Sequence, residues 1–421
     1  MNSLNKRHCA LLLILLLITP GLTGCWSKRE IETGGFATLV AIDKAENGGI
    51  ELTVNMAITE ALGGGSAGGG GGGGGSNKPA WTISSSGKNL AEAIASLQTF
   101  SGRIPFWFHA EALIIGEDLA KDGISPVLDY MLRNRDFRLT TWVLVSEGKA
   151  KDILQLSPKL TKLPARYLHD LIDIADEGSV SRPQRLLEVI RGLVEEKGTE
   201  IYIPLIHAKP KEPGEGTKGT TGDDGGGQSQ QGGSSQQESP EALVLEGTAV
   251  FVGDKMVGKL NGLETRGMLW LRGESRRAVV VVDMPDGYVV EQQILARRTL
   301  KLTRTGDQLK ATITIFQDGD ILEQNMSHLE INAAALKEMD VALTARIEQE
   351  ADAALNKLQN ELKSDTLGIG TRAYRLFPVL YNSQDWQQTF PTLSVEVVVH
   401  ANFRRTGEAL ESPLTQKNPG R

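Results

Sequence analysis

Cysteine is nearly absent from this chain, with two in 421 residues. That excludes a disulfide scaffold and a cysteine-rich metal centre. Aromatic residues make up only 5%. An excess of positive charge is missing too: the formal net charge is -7, which argues against a general nucleic-acid binder. No two of the six histidines (His8, His109, His169, His207, His328, His400) fall at metal-ligand spacing, so no metal site is expected. The G-x-S-x-G pattern falls only within a glycine run, at Gly64 to Gly68, where such a match is trivial, so no nucleophile elbow is expected. Carboxylates are plentiful, and an unpatterned acidic pair stays open. One stretch, Gly253-Asp254-Lys255-Met256-Val257-Gly258-Lys259-Leu260, has phosphate-loop spacing, but Leu260 stands where the magnesium-binding hydroxyl belongs. Its surroundings also read as a hairpin turn. Neither a catalytic residue nor a cofactor is expected.

What is present begins with an address. Lys6 and Arg7 give a basic start, and Ala10 to Ile18 form an apolar run of nine residues. A spanning helix needs ~20 apolar residues, so this run is too short for one. Leu22-Thr23-Gly24-Cys25 closes it as a bacterial lipobox would, with small residues before a thiol that carries diacylglycerol. Cys25 is therefore the expected lipidation site. Cleavage before it leaves 43 basic and 52 acidic residues, a charge of -9, and a single cysteine. Trp26 suits either a membrane interface or the first position of a core.

At 40% hydrophobic and 23% charged, the chain has a folded protein's composition, and its length suits two to four domains of ~150 residues. Glycine is abundant, at 47, but clustered, without the every-third-residue period of collagen. Gly63 to Gly75 holds eleven glycines in thirteen positions and predicts a flexible loop. Residues 211–240 carry no aliphatic or aromatic side chain and predict a disordered insert.

Phe36–Ile42 and Ile50–Ile58 read as a hairpin, and Ala112–Ile115 and Thr140–Val145 as further strands. A helix is expected over 89–100, capped by Ser86, and another over 124–133. A second unit carries helices over 166–175 and 183–195, with Pro183 in a first turn after Ser181. Strands are expected over 201–206, 242–251 and 257–260. A third unit opens as a meander: 278–284, 288–295, 299–305 and 309–316. A long helix over 333–363 follows, with Leu336, Met339, Leu343, Ile347, Ala351, Leu355, Leu358 and Leu362 in one stripe. Val395 to Phe403 alternate as a half-buried strand. The expected fold class is α+β: three domains, each a mixed or antiparallel sheet with packed helices, after a lipoprotein signal peptide at 1–24. The boundaries are 25–156, 157–272 and 273–407, with a tail at 408–421. Phe106-Trp107-Phe108-His109 reads as core packing or as a partner-facing patch.

Several segments resemble one family in one order. Cys25-Trp26-Ser27-Lys28-Arg29-Glu30-Ile31 and Ala41-Ile42-Asp43-Lys44 look like the mature start of the Ger(x)C spore-germination lipoproteins. Ile114 to Ala120, Gly123 to Tyr130, Glu246 to Phe251 and Glu264 to Leu271 agree, as do Gly368-Ile369-Gly370, Trp386, Phe390 to Leu393 and Arg404 to Gly407. The resemblance implies the C subunit of a nutrient germinant receptor, lipid-anchored at the outer face of the spore inner membrane. Its implied partners are the membrane-embedded A-type and B-type receptor subunits, one of which bears the germinant site. Direct germinant binding by this chain stays open. The rivals are the substrate-binding lipoprotein of an importer, which tight binding of a metabolite would favour, and a tethered cell-wall hydrolase. Glu264 to Leu271 is the first candidate partner surface, with a core role for Met268 to Leu271 as the alternative.

Overall fold

The computed structural model describes residues 34–57, 80–155, 163–194, 197–209, 242–326 and 332–405, with positions 8 and 161 in isolation. The lipobox and Cys25, Trp26, the polyglycine run, the 211–240 insert and His328 lie outside the described residues.

The chain opens with β1 (Gly34–Lys44), β2 (Ile50–Ala57) and β3 (Ala80–Gly87), then α1 (Leu90–Ser101), β4 (Ile104–Phe106) and β5 (Ala112–Gly116). Next come α2 (Glu117–Asp122), α3 (Ser125–Arg133), β6 (Trp142–Ser146), α4 (Ala150–Ile153), α5 (Pro164–Glu177), β7 (Gln184–Arg185) and α6 (Leu186–Val194). Then β8 (Tyr202–Ala208), β9 (Leu243–Val252), β10 (Lys255–Leu260) and α7 (Gly262–Arg272) lead to the carboxyl-terminal half. That half holds β11 (Val279–Met284), β12 (Gly287–Thr305), β13 (Gln308–Met326), α8 (Ala333–Asn356), α9 (Ile369–Leu376), α10 (Pro378–Ser383), α11 (Trp386–Thr389) and β14 (Ser394–Arg405).

Strands β10-β9-β8-β6-β5-β1-β2-β3 form the first sheet in that order, with β4 beside β1 and β7 beside β6. Its centre, β1, β5, β6 and β8, is parallel, and both flanks are antiparallel. Helices cover both faces, and this explains the unbroken apolar runs of the central strands. Val40, Ile42, Leu113, Ile115, Val143 and Val145 pack on α1, α3 and α6. Leu39, Ala41, Ala112, Ile114 and Leu144 point the other way, onto α4 and α5.

The expected middle unit does not build a sheet of its own. Strands β8, β9 and β10 extend the sheet begun by β1, because β8 pairs with β6 through Val145–Leu205 and Ser146–Ile206. That pairing joins residues sixty apart, so the expected boundary at 156/157 falls within one continuous sheet. Two further expectations shift. Asn89, not Ser86, caps α1, and Ser86 lies in β3 opposite Glu51. Pro183 precedes a two-residue strand rather than opening a helix: Arg185 pairs with Trp142 across β7 and β6, and its guanidinium lies 3.1 Å from that ring's centre. The helix α6 therefore starts only at Leu186.

The second sheet runs β11-β12-β13-β14. The two strands expected over 288–295 and 299–305 are one, β12, paired with β13 along its whole length. The expected gap, Ala296 to Arg298, is regularly paired with Gln317 to Ile315, and the register shifts fall earlier, at Val290/Glu291 and at Gln293/Leu295. Gly306, at φ +61, makes the tight turn into β13. The α8 stripe, Met339, Leu343, Ile347 and Ala351, crosses the inner face over Ile313, Ile315, Val399 and Ala401. This helix is the crossover that returns β14 parallel to β13.

Candidate functional site

Four of the segments that resemble the Ger(x)C lipoproteins, Glu246 to Phe251, Glu264 to Leu271, Gly368-Ile369-Gly370 and Trp386, meet at one place, the joint between the two sheets. It is built from α7, α8, the loop 363–370 and the edge of the first sheet.

Helix α7 opens with a reciprocal cap. Asn261 Oδ1 accepts from the Glu264 amide at 2.9 Å, and Glu264 Oε2 accepts from the Asn261 amide at 2.9 Å. Gly267 lies against α8, where a Cβ would sit 1.9 Å from the Glu350 carbonyl oxygen, so only glycine lets the helices approach this closely. The Glu350 side chain is 2% exposed. Its carboxylate accepts from Arg266 Nε at 2.8 Å and from Trp270 Nε1 at 3.1 Å, and it also pairs with Arg266 Nη2 and with Arg346 at 3.0 Å. Arg266 Nη1 also donates to the Val279 carbonyl at 3.1 Å and so reaches the edge of the second sheet. A carboxylate so deeply buried persists only with this many donors, and losing one partner costs about 3–5 kcal/mol.

The loop after α8 makes the second contact. Asp365 is buried and accepts from the amides of Leu367, Ile369 and Gly370 at 3.0, 3.3 and 2.6 Å and from Trp386 Nε1 at 3.0 Å. Burial nevertheless holds its carboxyl above the usual range, and the four donors only offset part of that rise. The same loop grips the first sheet. Ser364 Oγ donates to the Phe251 carbonyl at 2.6 Å, and the Glu200 amide donates to the Asp365 carbonyl at 2.8 Å. Gly198, at φ +74, lies directly against Gly370.

A third cluster closes the joint. Tyr202 of β8 donates to Glu274 at 2.8 Å, and Arg272 donates to the other oxygen of Glu274 at 2.7 Å. Burial would raise the Glu274 carboxyl, but Arg272, Tyr202 and Arg182 outweigh it and leave that group below its usual range. Arg298 Nη1 donates to the Leu271 and Leu367 carbonyls at 2.6 and 2.9 Å. These contacts position two sheets; they hold no nucleophile beside a base.

The placement of α7 corrects the expected partner surface. Thr265 and Gly267 to Leu271 are buried, and Arg266 is engaged with Glu350, so this stretch is core and joint. Sequence reasoning missed both the helix and the joint, although the Asn261-x-x-Glu264 box was a readable start signal. The phosphate-loop look-alike is the β9–β10 hairpin, with Gly253 at φ +57 in the turn. The described histidines stand apart. His169 pairs with Glu111 at 3.0 Å, His207 sits 3.7 Å from Glu147, His109 meets the Phe36 ring edge-on, and His400 stacks on Phe316. Among the described residues no group of three His, Cys, Asp or Glu is placed to hold a metal ion. In the aromatic patch, Trp107 is core and stacks on Phe137 at 4.9 Å, whereas Phe108 is 40% exposed. No helix among the described residues is long and apolar enough to cross a membrane.

A cleft of about 590 Å³ is lined by Asp173, Asp176, Arg276 and Ala296, and two more lie elsewhere on the surface. One, of about 430 Å³, lies beside the joint and carries Glu147, His207, Glu246, Lys259, Glu264 and Lys357. The other, of about 410 Å³, runs between α3 and α6 and is lined by Leu128, Leu132, Ile190, Leu193 and Val194.

Two family models match in tandem. A spore germination protein N-terminal domain covers residues 27–208, and a spore germination B3/GerAC-like C-terminal domain covers residues 246–407. YfkR of Bacillus subtilis (strain 168), whose name assigns it to spore germination, is 30% identical over 93% of this chain and 95% of its own. Spore germination protein KC of the same organism is 26% identical over 95% of this chain and 96% of its own. A crystal structure of the GerBC protein superposes with a TM-score of 0.54 at 15% identity, covering 89% of this chain and 99% of that one, so the two share a fold. With both models matched in order and a 30% identical relative aligned nearly end to end, the chain belongs to the Ger(x)C family of spore germination proteins.

Proposed function

We propose that this protein is the C subunit of a nutrient germinant receptor, lipid-anchored through Cys25 at the outer face of the spore inner membrane. It works beside A-type and B-type membrane subunits and catalyses no reaction itself. The observation that carries this reading is the end-to-end match to germination proteins. A tethered body held beside two partners acts at high effective concentration, and rigidity lets it bias their conformation or assembly. The joint is the part that turns two sheets into one such body.

Spores lacking the protein should fail to respond to the nutrients of the matching receptor yet germinate by a trigger that bypasses receptors. Normal nutrient germination in a deletion strain without a redundant paralogue overturns the assignment. Cys25→Ala should leave the fold intact and move the protein to the soluble fraction, because two acyl chains supply the anchoring. Retention of this variant in high-salt-washed membranes removes the lipid anchor from the reading.

A further inference from the structure

The first sheet has two unlike ends. At the end where β1, β5 and β6 begin, four large apolar side chains are exposed: Trp81 at 43%, Phe100 at 53%, Ile104 at 43% and Phe108 at 40%. They share this end because β4 pairs with the first residues of β1, Gly34 with Ile104, while Phe36 aligns with Ala57 and, through β2, with Ala80 beside Trp81. Phe100 sits in the last turn of α1, directly before β4. The loop that leads into β6 lies against the same end: Phe137 stacks on Trp107, and Thr141 Oγ1 donates to the Ala110 carbonyl at 3.0 Å. That loop presents Arg135 and Arg138 to solvent. The opposite end carries the carboxylates Asp122, Glu117 and Glu147, paired with Lys44, Lys121 and Lys259.

Chain length ties the apolar end to the anchor. Nine peptide steps separate Cys25 from Gly34. Fully extended they reach at most about 30 Å. The first residue of β1 is thus always within that distance of the acyl chains, whereas the far end of the eleven-residue strand stands up to about 35 Å further off.

We infer that this end of the first sheet is a membrane-contacting face: Trp81, Phe100, Ile104 and Phe108 enter the interface of an anionic bilayer, and Arg135 and Arg138 meet its headgroups. Exposed aromatic and aliphatic side chains flanked by arginine suit that boundary, where rings are favoured and cations gain from negative lipid. Each contact is weak alone, and the acyl anchor makes the set effective by holding it in place. The inference rests on the Cys25 anchor proposed above. Its consequence is a fixed orientation of the first sheet, with the β1–β2 turn at the far end of β1 directed away from the bilayer.

The test uses the full lipidated chain in vesicles of phosphatidylglycerol and phosphatidylethanolamine. Because acylation occupies Cys25, the variants Ile104→Cys and Glu46→Cys can each carry one environment-sensitive fluorophore. Glu46 is the control, exposed in the turn that follows the far end of β1. Emission from position 104 should shift to the blue on reconstitution, and emission from position 46 should not. The shift should shrink in an Arg135→Glu/Arg138→Glu background whose circular dichroism is unchanged. A chain that sediments with the vesicles while position 104 stays in water overturns the inference alone. A chain that remains in the supernatant overturns the anchor and the inference with it. A blue shift that appears only when the membrane subunits are present shows a protein surface, and likewise overturns it.

Discussion

The two sheets of this protein are stabilised differently. The first is buried on both faces and is apolar through its centre: Leu39 to Ile42, Ala112 to Ile115 and Val143 to Val145 are all at most 2% exposed. The second is buried on one face only. Its outer face is exposed and mixed: Val279, Val281 and Leu322 lie open to solvent, Lys310 pairs with Glu396 at 2.9 Å, and Arg297 lies 4.8 Å from the ring centre of Phe316. The first sheet gains its stability from area removed from water, at about 25 cal/mol per Å². The second must also be held against the first, where Val250 and Leu260 join its apolar core and the other contacts are buried charges and buried amides. Apolar packing tolerates small adjustments, whereas a buried ion pair fails when one partner is lost. The joint is therefore where the molecule is most sensitive to a single change.

Charge reversal at Arg266 is the severest way to break this contrast. Arg266→Glu sets a second carboxylate against Glu350 and strips the Val279 carbonyl of its donor. Denaturant titration should show a loss of at least about 4 kcal/mol. The second half should unfold first, so the transition becomes two-step. Arg277→Glu, at an ion pair whose partners are both more than half exposed, serves as the comparison and should change little. Equal losses for the two variants would refute the claim that the joint depends on buried charge.

A smaller effect, of opposite sign, comes from the interior of the second sheet. Glu291 is fully buried, and burial pushes its carboxyl up to about 8; the Gln317 amide lowers it, Asp320 raises it, and Arg266 lowers it. The folded state therefore keeps a proton that the unfolded chain has already released, between about pH 4.5 and 8. Over that window stability must fall as pH rises, by up to ~1.4 kcal/mol per unit. Glu291→Gln keeps the shape and removes the titration. The variant should match the parent near pH 4.5 and exceed it by about 2–4 kcal/mol at pH 9. A difference independent of pH would mean that Glu291 does not titrate with folding.

How much of this was legible in the sequence follows the same division. The parallel strands of the first sheet announced themselves as unbroken apolar runs, and α8 as a stripe at three- and four-residue spacing. The joint did not. Arg266 and Glu350 are 84 residues apart, and nothing near either one signals the other. Helix α7 carries Glu264, Thr265, Arg266 and Arg272 among its apolar residues, so no clean periodicity marks it. β3 escaped notice because its side chains are largely polar: Ser84 meets Thr53 at 2.8 Å, and Asn55 donates to Thr82 at 3.1 Å. Local patterns identify elements, whereas a pairing such as β6 with β8 is decided by distant residues that fit.

The smallest expected effect concerns the cap of α1, where a local rule pointed to the wrong residue. Ser86 and Asn89 are both good capping types, and they stand only three positions apart. The sheet decides between them. Ser86 is held in β3 by its pairing with Glu51, so its backbone cannot turn into a helix. Asn89 is free of the ladder, adopts an extended backbone at φ −147, and accepts from the Glu92 amide at 3.0 Å. Glu92 completes the exchange by accepting from the Lys88 amide at 2.7 Å. The helix so started delivers Leu90, Ala93, Ile94 and Leu97 to the core of the first sheet. Asn89→Ala should therefore cost about 1 kcal/mol, a drop of some 2–4 °C in melting temperature for a body of this size. Ser86→Ala should stay within about 0.5 kcal/mol of the parent. The loss should appear in the transition of the first sheet and leave the second unchanged. A larger loss from Ser86→Ala than from Asn89→Ala would return the cap to Ser86 and end β3 earlier than Gly87.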